Sequence, residues 1–272
     1  MRLPFSTRSP VSAILHWAGV WEFNPAVWAA CGLGLLSYLR FPGARPDWRA
    51  LAWGAGMLIV FVSLESALDV AGQRYLFSVH MAQHLLLAMV APPLLIRGLP
   101  EPTVDWLLRS RAAPGLRMLV QPVLAATAYL AILILWHLPS LLDYSLDHPL
   151  WYLLQHLSFL AVGLIFWWAV VIHREGERWN LSPLGEVAYL TCGALPSVVV
   201  GLSLALLPTA IYTAYLSRTA LLGLSAVTDQ HLGGLLMFGF DNTLMVGVAG
   251  YYLWRIFPPD GADDPGDSLA RP

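Results

Sequence analysis

The sequence predicts an all-α polytopic membrane helical bundle of about seven transmembrane helices. Three observations predict it. The 272-residue chain is 57% hydrophobic and only 12% charged, with a mean hydropathy of +0.62; a soluble domain carries about twice that share of charge. Apolar runs of about 20 residues, the length a helix needs to cross a bilayer, recur along the chain. Arginine, which supplies every Lys-or-Arg position, is concentrated in alternate connections.

The spans fall at roughly 25–40, 50–69, 75–97, 121–138, 150–172, 185–208 and 232–257. The first is the shortest. The second ends at an acidic pair, Glu65 and Asp69, expected to be partly solvated at the interface. The third contains Pro92 and Pro93, which remove hydrogen-bond donors and should kink it. The fourth closes at Trp-His-Leu-Pro, with Pro139 ending the helix and Trp136 as an interfacial anchor. The fifth ends in Phe166-Trp167-Trp168, which reads as an interfacial aromatic belt. Between the sixth and seventh, the semi-polar stretch 208–231 is expected to lie along the membrane surface as a helix. Thr228 or Asp229 could cap the seventh span, and Gly233 and Gly234 would let a neighbour approach closely. Residues 1–257 thus form one integral-membrane domain. The tail 258–272, rich in Pro, Gly and Asp, is expected to be disordered.

Orientation follows from arginine placement. Eleven arginines (Arg40, Arg45, Arg49, Arg97, Arg109, Arg111, Arg117, Arg174, Arg178, Arg255 and Arg271) fall on one side. Four (Arg2, Arg8, Arg74 and Arg218) fall on the other. The arginine-rich side should be cytoplasmic, with the N-terminus outside and the C-terminal tail inside. Arg2 and Arg8 are not followed by a clean apolar stretch and cleavage site, so no cleaved signal peptide is expected.

Span parity then gathers histidines at the outer end. His80 and His84 lie early in span three, His137 closes span four, His148 and His156 open span five, and His231 opens span seven. His16 belongs to the outer N-terminal segment, and His173 alone falls at the cytoplasmic end. The gathering depends only on parity and survives a reversal of inside and outside. His80 and His84, four residues apart, sit about 40° apart in azimuth and ~6 Å apart along a helix, so they could share one metal ion. Ionisable groups inside a membrane are costly and tend to be functional. His156 faces apolar neighbours and is a better candidate ligand than His148, which reads as a helix-start residue. His137 and His231 are each balanced between ligand and packing roles. Asp229 could orient an imidazole. Asp241 and Asn242, well inside span seven, could pair within the bundle or line a polar path. The candidate metal ligands are therefore His80, His84, His137, His156 and His231. Imidazole suits copper, iron and zinc alike, and the Met81 thioether would suit Cu(I).

Several function classes lack support. Cys31 and Cys192 lie in apolar spans with no CxxC spacing. No nucleotide-binding loop or GxSxG elbow occurs, and no enzymatic role is expected. The dispersed arginines give no footprint for nucleic acid.

The segment His80-Met-Ala-Gln-His84, followed by Ala91-Pro-Pro-Leu-Leu and Gly98, resembles the multi-span CtaG family of cytochrome c oxidase assembly factors. Trp136-His-x-Pro139, Gln155-His156 leading to Phe166-Trp-Trp, and Asp229-Gln-His-Leu-Gly-Gly234 match its later motifs in order. The resemblance spans about residues 20–257. The family often carries a histidine where this chain has Tyr152. The resemblance implies a multi-pass protein of the bacterial plasma membrane that helps mature a haem–copper oxidase. It makes copper the expected metal, oxidase subunits and membrane lipids the expected partners, and a periplasmic copper chaperone a further one. Three other readings stay open on the residues alone: a haem-binding electron carrier, a di-iron oxygenase, and a metal-free scaffold whose histidines only cross-link helices.

Overall fold

The computed structural model of the protein describes residues 23–257 except 175 and 220–222. His16, Arg2, Arg8 and the tail 258–272 lie outside the described residues. All regular elements among the described residues are helical. In chain order they are α1 (Pro25–Tyr38), α2 (Trp48–Leu64), α3 (Ala67–Arg74), α4 (Phe77–Gly98), α5 (Glu101–Arg109), α6 (Ala113–Leu119), α7 (Pro122–Trp136), α8 (Pro139–Asp147), α9 (Pro149–Val171), α10 (Pro183–Leu206) and α11 (Ala226–Trp254).

Four of these, α4, α9, α10 and α11, are long and apolar enough to cross a membrane. Two bent pairs raise the number to six: α2 with α3, turned by 42°, and α6 with α7, turned by 67°. The structure therefore establishes four to six candidate spans where the sequence predicts seven. The difference lies in α1. Its 14 residues make a rod of about 21 Å, short of a hydrocarbon core of about 30 Å. The bends have local causes. Ser66 restarts the chain as the N-cap of α3, its hydroxyl accepting from the Leu68 amide. Pro122 opens α7 and holds Gln121 out of helical geometry.

Helix α4 runs through the middle of the bundle, with α2, α3, α9 and α11 packed around it. It contains one π-helical turn, Leu86–Val90, just before Pro92 and Pro93. Pro92 has no amide hydrogen to give the carbonyl four residues back. That carbonyl, on Ala88, instead accepts from the indole Nε1 of Trp167 at 3.2 Å. Gly163 permits the approach: a Cβ there would lie 2.6 Å from the Ala88 oxygen. Phe166-Trp167-Trp168 is thus core, not an interfacial belt, with all three rings buried. Trp136 is likewise buried, its Nε1 donating to the Ser158 hydroxyl at 2.8 Å. Trp136 and Trp167 fill the bundle here with buried acceptors for their ring N–H groups.

Gly233 and Gly234 do bring neighbours close. Gly233 sits against the Phe77 ring of α4, and Gly234 against the backbone of α10 at Gly201 and Ala205.

The stretch before α11 departs from expectation. Among its described residues there is no α-helical surface segment, and a 3₁₀ turn forms at Thr213–Tyr215. It forms a strap over the histidine end of the bundle. Asp143 of α8 anchors it, accepting from the Thr213 amide (2.9 Å), the Thr213 hydroxyl (2.6 Å) and the Ala214 amide (3.3 Å). Tyr212 and Tyr215 point inward and are buried; the Phe77 and Tyr212 rings stack at 4.6 Å.

Candidate metal centre

Helix α4 supplies the first two side chains. His80 and His84 share its inner face as their spacing dictates, and their Nε2 atoms lie 2.8 Å apart. Helix α9 supplies His156, whose ring centroid is 5.2 Å from that of His80 and 5.1 Å from that of His84. One ligand nitrogen from each of the three can be chosen so that all lie within 4.8 Å of one another. All three rings are buried. His137, at the C-terminal cap of α7, borders the group with its ring 6.1 Å from that of His84. Phe159 stacks on His84 at 4.2 Å and closes the apolar side.

The hydrogen-bond partners fix the neutral tautomers. The Tyr215 hydroxyl donates to the Gly72 carbonyl at 2.6 Å, so its oxygen can only accept from His80 Nδ1 at 3.1 Å. His80 Nδ1 therefore carries the proton, and Nε2 a lone pair. His84 Nε2 must donate to that lone pair, leaving His84 Nδ1 as a buried lone pair with no partner. His156 Nδ1 faces the Tyr152 carbonyl at 2.8 Å and must be protonated, so its buried Nε2 is a second lone pair with no partner. His137 repeats the pattern: Nδ1 donates to the Leu133 carbonyl at 2.7 Å. Its Nε2 then faces the Met81 sulfur at 3.4 Å, where neither atom has a hydrogen to give. The neutral, metal-free arrangement thus holds three imidazole lone pairs and a thioether with no donor among them, in a buried site where unpaired polar atoms are costly.

The donor set fits a metal ion on distance as well. Nitrogens bound to one ion at about 2.0 Å lie about 3.3 Å apart in tetrahedral geometry and at most ~4 Å apart. Binding through Nε2 of both His80 and His84 requires the His84 proton to move to Nδ1; the group then opens its 2.8 Å His80–His84 contact by about half an ångström and draws in its widest pair by about one.

The structure sorts the five expected ligands. His80, His84 and His156 come together and His137 stands beside them. His231 does not join them: its Nε2 pairs with the Leu207 carbonyl on α10 at 2.8 Å. Its position at the start of the span matches the depth that parity predicts, but the ring is turned toward α10. His148 is a helix-start residue, exposed and stacked on Tyr144 at 3.7 Å. His173 lies at the other end of the bundle, 2.5 Å from Glu186. Asp229 neither caps its own helix nor orients an imidazole. Ser225 caps α11. The buried Asp229 carboxylate reaches across to the start of α4, accepting from the Phe77 amide at 2.6 Å, the Ser78 amide at 3.1 Å and the Ser78 hydroxyl at 2.5 Å. Asp241 is buried in a π-helical turn of α11, Met237–Asp241. Asn242 bonds the Phe238 carbonyl one turn back.

One tyrosine of the site escapes the sequence reading, and a second enters it only as a departure from the family pattern. Tyr215 orients His80 from 135 residues away, and no local pattern announces it. Tyr152 does carry a local signal, lying four residues before His156 on the same face. Its ring packs on His156 at 4.3 Å, and its hydroxyl donates to Asp69 at 2.9 Å. The Gln83 amide also donates to Asp69, at 3.0 Å, and to the Ser63 carbonyl, at 2.7 Å. Glu65 is buried, against the expected solvation. Its Oε1 accepts from the Asn24 amide (2.7 Å) and from Trp28 Nε1 (3.0 Å).

The molecule so defined is an all-helical, membrane-type bundle with a buried histidine group at one end. The chain belongs to the cytochrome c oxidase caa3 assembly factor family, whose model matches residues 27–258. It is similar to uncharacterized proteins of Mycobacterium bovis and Mycobacterium tuberculosis, each 25% identical over 264 residues, covering 86% of this chain and 39% of theirs. An uncharacterized protein of Mycobacterium leprae is 27% identical over 248 residues, covering 81% of this chain and 37% of its own. The chain thus spans less than half the length of these relatives. No solved structure matches it.

Proposed function

We propose that this protein binds copper at the histidine group and hands it on during maturation of a haem–copper oxidase, acting as an assembly factor and not as an enzyme. The family supplies the process. The observation that carries the mechanism is the buried triad His80, His84 and His156, whose ligand nitrogens lie within 4.8 Å of one another, with the lone pairs of His84 Nδ1 and His156 Nε2 left without a partner. Three imidazoles with a thioether alongside form a donor set that takes Cu(I) readily.

In this reading the protein is a multi-pass component of the bacterial plasma membrane. It has seven helical crossings, with α1 as the short first one, an external N-terminus, and the histidine group toward the outer leaflet. Its partners are oxidase subunits, lipids and a periplasmic copper chaperone that delivers the ion. The deciding experiment is metal analysis of the purified protein before and after chelation. Copper near one equivalent, removed by chelator and restored by Cu(I), is expected. A preparation that neither contains copper nor takes it up would end the reading. For orientation, a reporter fused after Arg255 should behave as cytoplasmic; a periplasmic signal there would reverse the topology.

A further inference from the structure

The histidine group is sealed from solvent among the described residues, yet an ion must reach it. One cavity leads toward it. It has a volume of about 350 Å³ and lies at the same end of the bundle, between the start of α1, the α2–α3 bend and the start of α9. Glu65, Asp69, Arg74 and Tyr152 line it, so its acidic side chains outnumber its basic one. Two features make it more than a surface dent. Glu65 is only 2% exposed, and its Oε2 has no hydrogen-bond partner while Oε1 is fully engaged. Tyr152 both lines the cavity and packs on His156 at 4.3 Å, so its side chain lies between the cavity and the histidine group. That side chain is held by the Asp69 carboxylate, which also receives Gln83.

We propose that this acidic cavity is the entrance through which the cation reaches the histidine group, with Glu65 Oε2 as the receiving atom and Tyr152, latched by Asp69 and Gln83, as the door. The proposal rests on the metal-binding reading above. A buried carboxylate oxygen without a donor attracts a cation strongly, because little solvent screens it. Rotation of the Tyr152 ring would exchange its hydrogen bond to Asp69 for an open path from Asp69 to the lone pair of His156. Asp69 would then be the intermediate oxygen ligand between the entrance and the imidazoles. No electron or proton need be exchanged in the transfer: the ion moves from carboxylate oxygen to imidazole nitrogen as the same Cu(I).

The test is loading kinetics of the full-length protein in lipid nanodiscs. Cu(I) is presented as a coloured chelator complex, and decolorisation follows uptake. Glu65→Gln keeps an oxygen for Asn24 and Trp28 and removes only the charge. It is expected to slow uptake about 10-fold, the order of an electrostatic-steering term, while the final amount bound stays that of the parent. Uptake by the parent should slow with added salt, and uptake by the variant much less. Leu153→Trp, which fills the cavity from a neighbouring wall position, should slow uptake independently of charge. If both variants load at the parent's rate, the entrance is elsewhere and the metal site stands. If the parent takes up no Cu(I), the entrance falls together with the metal reading.

Discussion

A His84→Ala variant is expected to insert and fold like the parent, to lose bound copper, and to leave the oxidase it serves with about a tenth or less of its activity. His84 is the central ring of the group. It contacts His80 through Nε2 at 2.8 Å and packs within 6.1 Å of His137 and 5.1 Å of His156. Its removal takes away one of three close ligands and leaves His80 Nε2 without a donor. Losing one ligand of a three-imidazole site exceeds the 10–100-fold affinity loss typical of changing an outer-shell partner. At limiting free copper, occupancy therefore falls to near zero. Folding is affected much less. The ring makes no hydrogen bond beyond His80, and its stacking on Phe159 is worth about 1 kcal/mol. Copper content per mole of protein, oxidase activity in membranes, and the thermal unfolding midpoint in detergent separate these effects. Full copper content and full oxidase activity in the variant would remove the metal site and leave the scaffold reading in possession.

Part of this site was legible in the sequence because helical geometry acts over short distances. Four-residue spacing puts His80 and His84 on one face whatever surrounds them. Antiparallel alternation of apolar spans puts His137 and His156 at the same depth. Depth, however, is not azimuth. His231 sits at the depth expected of it, yet its helix is rotated so that the ring meets Leu207. Nothing in the local apolar pattern fixes that rotation, since α11 is bordered by α4 on one side and α10 on the other. The glycine pair beside His231 was readable as a close approach because a missing Cβ has a purely local meaning. Trp136 and Trp167 were misread as interfacial for the converse reason. A tryptophan near a span end meets either headgroups or a partner helix, and only the tertiary arrangement supplies the Ser158 hydroxyl and the Ala88 carbonyl that draw them inward. Tyr215 and Asp229 show the limit most sharply. They act on α4 from 135 and 152 residues away, each through a single hydrogen-bonding group and without a periodic signal.

Asp229→Ala should therefore be among the most damaging single changes in the chain, with a predicted loss of about 3 kcal/mol and a matching loss of metal. Helix α4 begins at Phe77 with no cap of its own, since Leu76 stands in the N-cap position and offers no acceptor. The Asp229 carboxylate supplies the missing cap from another helix, taking two amides and one hydroxyl in a site with no exposed surface. An ordinary N-cap is worth about 0.5–2 kcal/mol. Leaving a buried amide unpaired costs a further ~1–3 kcal/mol, so the sum lies above the usual range for one side chain. The functional effect follows from position. His80 is three residues from the capped end, and its amide closes the first turn on the Leu76 carbonyl at 3.1 Å. Fraying of that turn moves the His80 ring away from Tyr215 and breaks the tautomer chain that aims its Nε2 at His84. Asp229→Asn keeps one acceptor oxygen but points an amide at donors, so it should fall between parent and alanine in both properties. Thermal unfolding in detergent and copper content measured on the same preparations test the link. An alanine variant with the parent's unfolding midpoint and copper content would mean that α4 holds its first turn, and His80, without the cross-helix cap.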